Sequence, residues 1–130
     1  MVTRLALLKR RPEYTAPEFR RYVLDEHVAL ARQLPGLREY RVHVVEDDEG
    51  DGPYDAVAEH LFDDRSAAER AFASPQNAPA LADVTAHTAK VDHLIVQVTP
   101  VVVRAAAAPA AAAVAGVARA DPSDGGPTPA

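Results

Sequence analysis

Apolar and polar residues alternate with different periods along this chain, and the changes of period divide it into elements. VTRLALLK, Val2 to Lys9, is a compact apolar run bounded by charge and by Pro12, which predicts a buried strand. A helix is predicted from about Ala16 to Gln33. Thr15 is placed to cap it, Pro17 falls in its first turn, and Glu18 stands three residues after Thr15 as in a capping box. Pro35 and Gly36 in LPGL end that helix. Leu37 to Glu46 alternates as a strand does, with Tyr40, Val42 and Val44 on one side and Arg41, His43 and Val45 on the other. The polar, glycine-rich DDEGDGP predicts a hairpin loop, and Tyr54 to Phe62 the returning strand.

A second helix opens at DDRSAAERAFAS, capped by Asp64 or Ser66, and resumes through SPQNAPALADVTAHT after a break at Pro75 or Pro79. Lys90 to Pro100 is the last strand. The resulting order is the βαββαβ pattern of an α+β, ferredoxin-like fold with a four-stranded antiparallel sheet. Two helices cover only one face of such a sheet. The strands are apolar on both sides, so the other face is expected to close sheet to sheet against a second copy, as a homodimer. From Arg104 to Ala130 the Ala, Pro, Gly and Asp mixture offers no large side chains to bury. It reads as a disordered tail following a domain over residues 1–103.

Composition narrows the function. The 130 residues carry a net charge of -5, and the part before Arg104 holds 12 basic residues against 17 acidic ones. That balance argues against a nucleic-acid partner, which would select a clustered basic face. It gives no reason to expect binding to anionic membranes. With no cysteine there is no disulfide, thiol nucleophile or cysteine-ligated zinc. The N-terminus has its positive charge after a short apolar run, the reverse of a secretory signal, and the alanine-rich TPVVVRAAAAPAAAAVAGVA is too weakly hydrophobic to span a bilayer. The expected location is the cytoplasm.

At 100° per residue, Phe19, Val23, Leu30 and Leu34 form the core stripe of the first helix, and Arg21, Asp25 and Arg32 project from the opposite side. His27 falls on one edge of the stripe and Glu26 on the other, with Tyr22 just beyond Glu26. An imidazole, a carboxylate and a phenol thus stand at a buried border, where desolvation shifts protonation. His27 there either fills space with a hydrogen bond to the backbone or moves a proton at a pocket between helix and sheet. Tyr54, at the start of a strand, is placed either to donate to a ligand oxygen or to pack on the hairpin. Glu59 shares a strand face with Asp55, Val57 and Leu61. His43, His60 and His93 lie on three strands without the close spacing of a metal site, so no metal is assigned. Arg10 and Arg11 form a charged loop able to attract an acid group. EDDEGDG is not a complete calcium loop, and no nucleophile elbow, phosphate loop or dinucleotide fingerprint is present, so no cofactor is assigned.

LALLKRRPEYTAPEFRRYVLDEHVALARQLPGLREY, followed by DGPYDAVAEHLF and FASPQ, resembles the EthD family of the dimeric α+β barrel superfamily, over about residues 3 to 98. The resemblance implies a ferredoxin-like homodimer. It also implies one of two roles. One is a cofactor-free enzyme, of isomerase or oxidoreductase type, acting on a small apolar oxygenated ring such as a lactone, phenol or polyketide. The other is a non-catalytic accessory or binding protein of an oxidative, ether-degrading pathway. The family's helix histidine maps onto His27, its strand-start tyrosine onto Tyr54 and its strand acid onto Glu59. His27 and Tyr54 are then the catalytic candidates, and Tyr22, Glu26, Glu59 and Phe62 the substrate-binding ones. Family members often carry Gly where Ala56 stands and an aromatic near Leu61, which implies a differently shaped pocket here.

Overall fold

A computed structural model describes residues 1–47 and 49–105. The first unit, Met1–Val98, contains β1 (Val2–Arg10), α1 (Ala16–Tyr22), a π-helical turn (Val23–His27), α2 (Val28–Ala31), β2 (Glu39–Val44), β3 (Ala56–Phe62), α3 (Arg65–Phe72), α4 (Asn77–His87) and β4 (Thr88–Val96). The strands form one antiparallel sheet in the order β2-β3-β1-β4, so the fold is the expected α+β, ferredoxin-like one. A second unit begins at Thr99, and in it Val101, Val102 and Val103 are exposed. The tail expected after Arg104 lies, beyond residue 105, outside the described residues.

Local chemistry accounts for the boundaries. Thr15 Oγ1 accepts from the Glu18 amide at 3.2 Å while Glu18 Oε1 accepts from the Thr15 amide at 2.8 Å, a complete capping box. Of the two expected caps of α3, Asp64 is the one used, accepting from the Ala67 amide at 2.8 Å. The break falls at Pro75. Pro79 is accommodated in the first turn of α4, where its missing N–H has no intrahelical partner to lose.

The first helix departs from expectation. It ends at Ala31 and is interrupted by the π turn, in which the Val28 amide donates to the Val23 carbonyl, five residues back. In an uninterrupted α-helix Tyr22 and His27 would point about 140° apart. The extra residue in the turn brings them onto one face and rotates Glu26 into solvent.

Strand pairing fixes which side chains share a face. Val2, Arg4, Ala6 and Leu8 of β1 align with Phe62, His60, Ala58 and Ala56 of β3 on the helix side. There Leu8, Phe19, Tyr22, Val23 and Ala56 form one core cluster, and Val2, Leu34, Phe62, Ala68 and Ala71 a second. Leu5, Leu7, Val57, Leu61, Leu94 and Val96 lie on the outer face, which no helix of the first unit's described residues covers.

The β2–β3 connection is clasped to the end of β1. Lys9 Nζ donates to the carbonyls of Gly50 and Gly52 at 2.8 and 2.9 Å and lies 3.4 Å from buried Asp55, which Arg10 Nε also meets at 3.4 Å. Gly50 sits at φ 72°, and a Cβ there would lie 2.2 Å from Arg10 Nη2. The left-handed backbone there disfavours any residue with a Cβ, and Arg10, held by Tyr14 and Asp55, would have to move. Gly50→Ala is therefore expected to lower stability by about 1–2 kcal/mol. An unchanged urea midpoint in that variant would show that residue 50 is not held in the left-handed region.

Candidate active site

The π turn brings two polar side chains, Tyr22 and His27, to one carboxylate. Asp83, in the middle of α4, accepts from the Tyr22 hydroxyl at 2.6 Å and pairs with His27 Nδ1 at 2.9 Å, both through Oδ2. His27 is 8% exposed and Tyr22 5%, so the cluster is largely removed from water. His87, one turn along α4, donates from Nδ1 to the Asp83 carbonyl at 2.7 Å and stacks on Tyr22 with ring centroids 3.8 Å apart. Burial works to raise the Asp83 carboxyl, but the hydrogen bonds from Tyr22 and His27 outweigh it and hold the group below the usual carboxylate range. Desolvation, reinforced by the bond to Asp83, pushes the Tyr22 phenol far up, so it remains a donor. With Asp83 ionised and bonded to Nδ1, the other ring nitrogen of His27 is the one available to exchange a proton.

Beside this cluster, between the helices and the sheet, is a cavity of about 80 Å³. Its wall is mainly aliphatic, with Arg4, His60, Asn77 and His93 as the polar exceptions. Ala31, one turn beyond His27, and Val84, next to Asp83, belong to that wall, while His27 itself does not. Exposed Leu81 and His93 mark the side nearest solvent. A second hollow of about 290 Å³ shares Arg4 and Phe72 with it.

The cavity's polar groups are electrostatically one-sided. His60 donates from Nδ1 to the Arg4 carbonyl at 3.2 Å and stacks on Tyr40. Desolvation, opposed by the bond to the Arg4 carbonyl and reinforced by the charges of Arg4, His27 and His93, lowers its pKa to about 4. His93 is lowered for the same first reason, with Arg4 second. The Arg4 guanidinium is itself lowered to about 10 by burial.

The other sequence candidates fall elsewhere. Tyr54 is on the outer side of the sheet, donating to Asp92 at 2.5 Å near Lys90, so it does not meet His27 within one chain. Glu59 is also on the outer face, where His43 reaches it at 2.8 Å and Arg41 at 4.0 Å. Glu26 is exposed because of the π turn, and Phe62 is fully buried in the second core cluster rather than in the cavity wall. Of the three strand histidines, His43 faces outward and His60 and His93 face the helices. Among the described residues no group of three or more His, Cys, Asp or Glu side chains is placed to hold a metal. Arg10 and Arg11 are tied to Tyr14 and Thr85 carbonyls. Sequence reasoning missed Asp83 and Arg4. The available signal for Asp83 was its four-residue spacing from His87 on a helical segment; nothing local marked Arg4 apart from its parity on β1.

The His60 shift has a defined pH consequence. Because its folded pKa lies below the value near 6.5 of the unfolded chain, the unfolded state binds more protons between about pH 6.5 and 4, and stability falls as pH drops through that window. The contribution, complete above pH 6.5, is on the order of 3 kcal/mol. Urea midpoints at pH 7 and pH 4.5 should therefore differ by more in the native protein than in His60→Asn, which keeps a donor for the Arg4 carbonyl. Equal differences would show that His60 is not the titrating group.

The site can be set beside known proteins. No curated protein matches this chain. Among solved structures, an ethyl tert-butyl ether D (EthD) family protein from Bacillus halodurans C-125 superposes with a TM-score of 0.63 at 22% identity, covering 76% of this chain and 100% of the other. A dimeric ferredoxin-like protein from Thermobifida fusca YX gives 0.61 at 18%, covering 75% and 90%. SnoaB, a cofactor-independent oxygenase from Streptomyces nogalater, gives 0.56 at 21%, covering 75% and 91%. These likenesses establish a shared fold. Residues 11–89, more than half of the chain, match the EthD domain, and the protein belongs to the EthD domain family.

Proposed function

We propose that this protein is a small-molecule tailoring or catabolic enzyme that transfers a proton without a cofactor. Its substrate is a small apolar oxygenated ring such as a lactone, phenol or polyketide, and His27 is the acid–base group. The observation that carries the reading is the 2.9 Å contact between His27 Nδ1 and Asp83 on the helical side of the cavity. A carboxylate at Nδ1 selects the tautomer with a basic Nε2 and stabilises the imidazolium formed when that nitrogen takes a proton. Tyr22 holds the same carboxylate oxygen and so positions Asp83. The mainly aliphatic cavity suits an apolar ring, and the fold shared with a cofactor-independent oxygenase supports the class.

One observation favours a second reading, an accessory protein that binds a metabolite of an oxidative pathway without turning it over. His27 is not part of the cavity wall, and the Tyr22–Asp83–His27 cluster also serves to join the first helix to α4. Deuterium exchange from heavy water into the acidic C–H positions of butenolides, followed by NMR, separates the two. Catalysed exchange that falls about 100-fold or more in a folded His27→Ala variant supports the enzyme. Binding without exchange supports the accessory protein, and full exchange in His27→Ala removes His27 from the mechanism.

The outer sheet face is assigned to a second copy of the chain. Its apolar centre, with Leu94 52% exposed, is bordered by Glu39, Arg41, Lys90 and Asp92, and the Thermobifida fusca relative in fold is dimeric. On this arrangement Tyr54 and Glu59 serve the interface rather than the cavity. Sedimentation should give a dimer at micromolar concentration and a monomer for Leu94→Lys. A native monomer would contradict the assignment.

A further inference from the structure

Arg4 is the feature of the cavity left without a use. It comes from the central strand, and its parity turns the side chain into the helix-side layer between the apolar positions Val2 and Ala6. The guanidinium carbon lies 3.6 Å from the centroid of Phe72, so one face of the cation is covered by a ring. Among the described residues no carboxylate pairs with it. Glu69, which lines the adjoining hollow with Arg4, is exposed and holds Arg65 at 3.2 Å. Among the described residues Lys9 and Arg10 meet Asp55 and His27 meets Asp83, so these largely buried groups do have carboxylate partners. His60 and His93, both lowered by burial and by Arg4, remain largely neutral at pH 7 and neither cancel nor compete with its charge. A half-buried cation without its own counter-ion, on the wall of an otherwise apolar cavity, is completed by an anion from outside.

We propose that Arg4 is the anion-recognition residue of this cavity and that the ligand is a small apolar ring bearing a carboxylate, received by the guanidinium as a bidentate pair. The planar fork of Arg matches a carboxylate in geometry, and Phe72 fixes its plane. The ring then lies among aliphatic side chains such as Leu8, Leu34 and Val84. This inference rests on the proposed function only in taking the cavity as the ligand site, and it does not depend on the role of His27.

The test is calorimetric titration of the full chain with benzoate and with benzyl alcohol, its neutral counterpart. The native protein should bind benzoate about tenfold or more tightly than benzyl alcohol. Arg4→Gln should remove that preference while leaving benzyl alcohol within about twofold, and Arg4→Lys should retain part of it, since an ammonium supplies charge without the fork. Circular dichroism checks that the variants fold. If Arg4→Gln does not fold, salt replaces it as the probe: raising NaCl should weaken benzoate and leave benzyl alcohol unchanged in the native protein. Equal affinity for the two ligands, benzoate binding insensitive to salt, or an undiminished preference in Arg4→Gln overturns the assignment of Arg4 alone. Failure of the native protein to bind either ligand overturns the assignment and the reading of the cavity together.

Discussion

Successive residues of a strand face opposite sides of the sheet, and in this protein that constraint separates two kinds of chemistry. β1 lies between β3 and β4, so its parity sets the faces for both neighbours. On the helix side it aligns Arg4 with His60 and Ile95, and Ala6 with His93, gathering three basic groups around one cavity. On the outer side it aligns Leu5 with Glu59 and Leu94, and Leu7 with Val57 and Asp92. A slip of one residue in β1 would exchange these sets and put Arg4 on the outer face.

The helices complete the inner face through one carboxylate. Asp83 belongs to α4, while Tyr22 and His27 come from either end of the π turn. The turn matters because five residues of regular α-helix would direct the two side chains apart. With the i→i−5 hydrogen bond they converge on one oxygen. The same interaction therefore packs the first helix against α4 and defines the protonation geometry of His27. A single contact that both joins the helices and orients His27 is compatible with an enzyme and with a binding protein alike.

The electrostatic contrast between the two faces bears on function. Outside, charges pair along and across strands, as in Arg41 with Glu39 of its own strand and with Glu59 of β3. Such pairs add little stability but suit the border of an interface. Inside, the imidazoles of His60 and His93 are driven toward neutrality by burial and by Arg4. The outcome is a fixed positive charge amid apolar walls, with a carboxylate-bound histidine on the neighbouring helix.

Much of this was legible in the sequence. The capping box at Thr15, the stop at Pro35–Gly36, the alternation in β2 and the change of period after Phe62 are local signals, and they gave the element order and hence the fold, because each depends on dihedral preference and side-chain spacing within a few residues. The resemblance of the Leu5–Tyr40 block pointed to the family and to His27. What the sequence could not decide was which distant groups meet. A regular 100° repeat placed Glu26 at the buried border of the first helix, and Phe62 was a substrate-binding candidate; a π turn and core packing put them elsewhere. Tyr54 was grouped with His27, yet the sheet lies between them. Asp83 and Arg4 became candidates only through contacts spanning tens of residues, since strand register and helix docking are set by how the whole core packs and no short stretch of sequence encodes them.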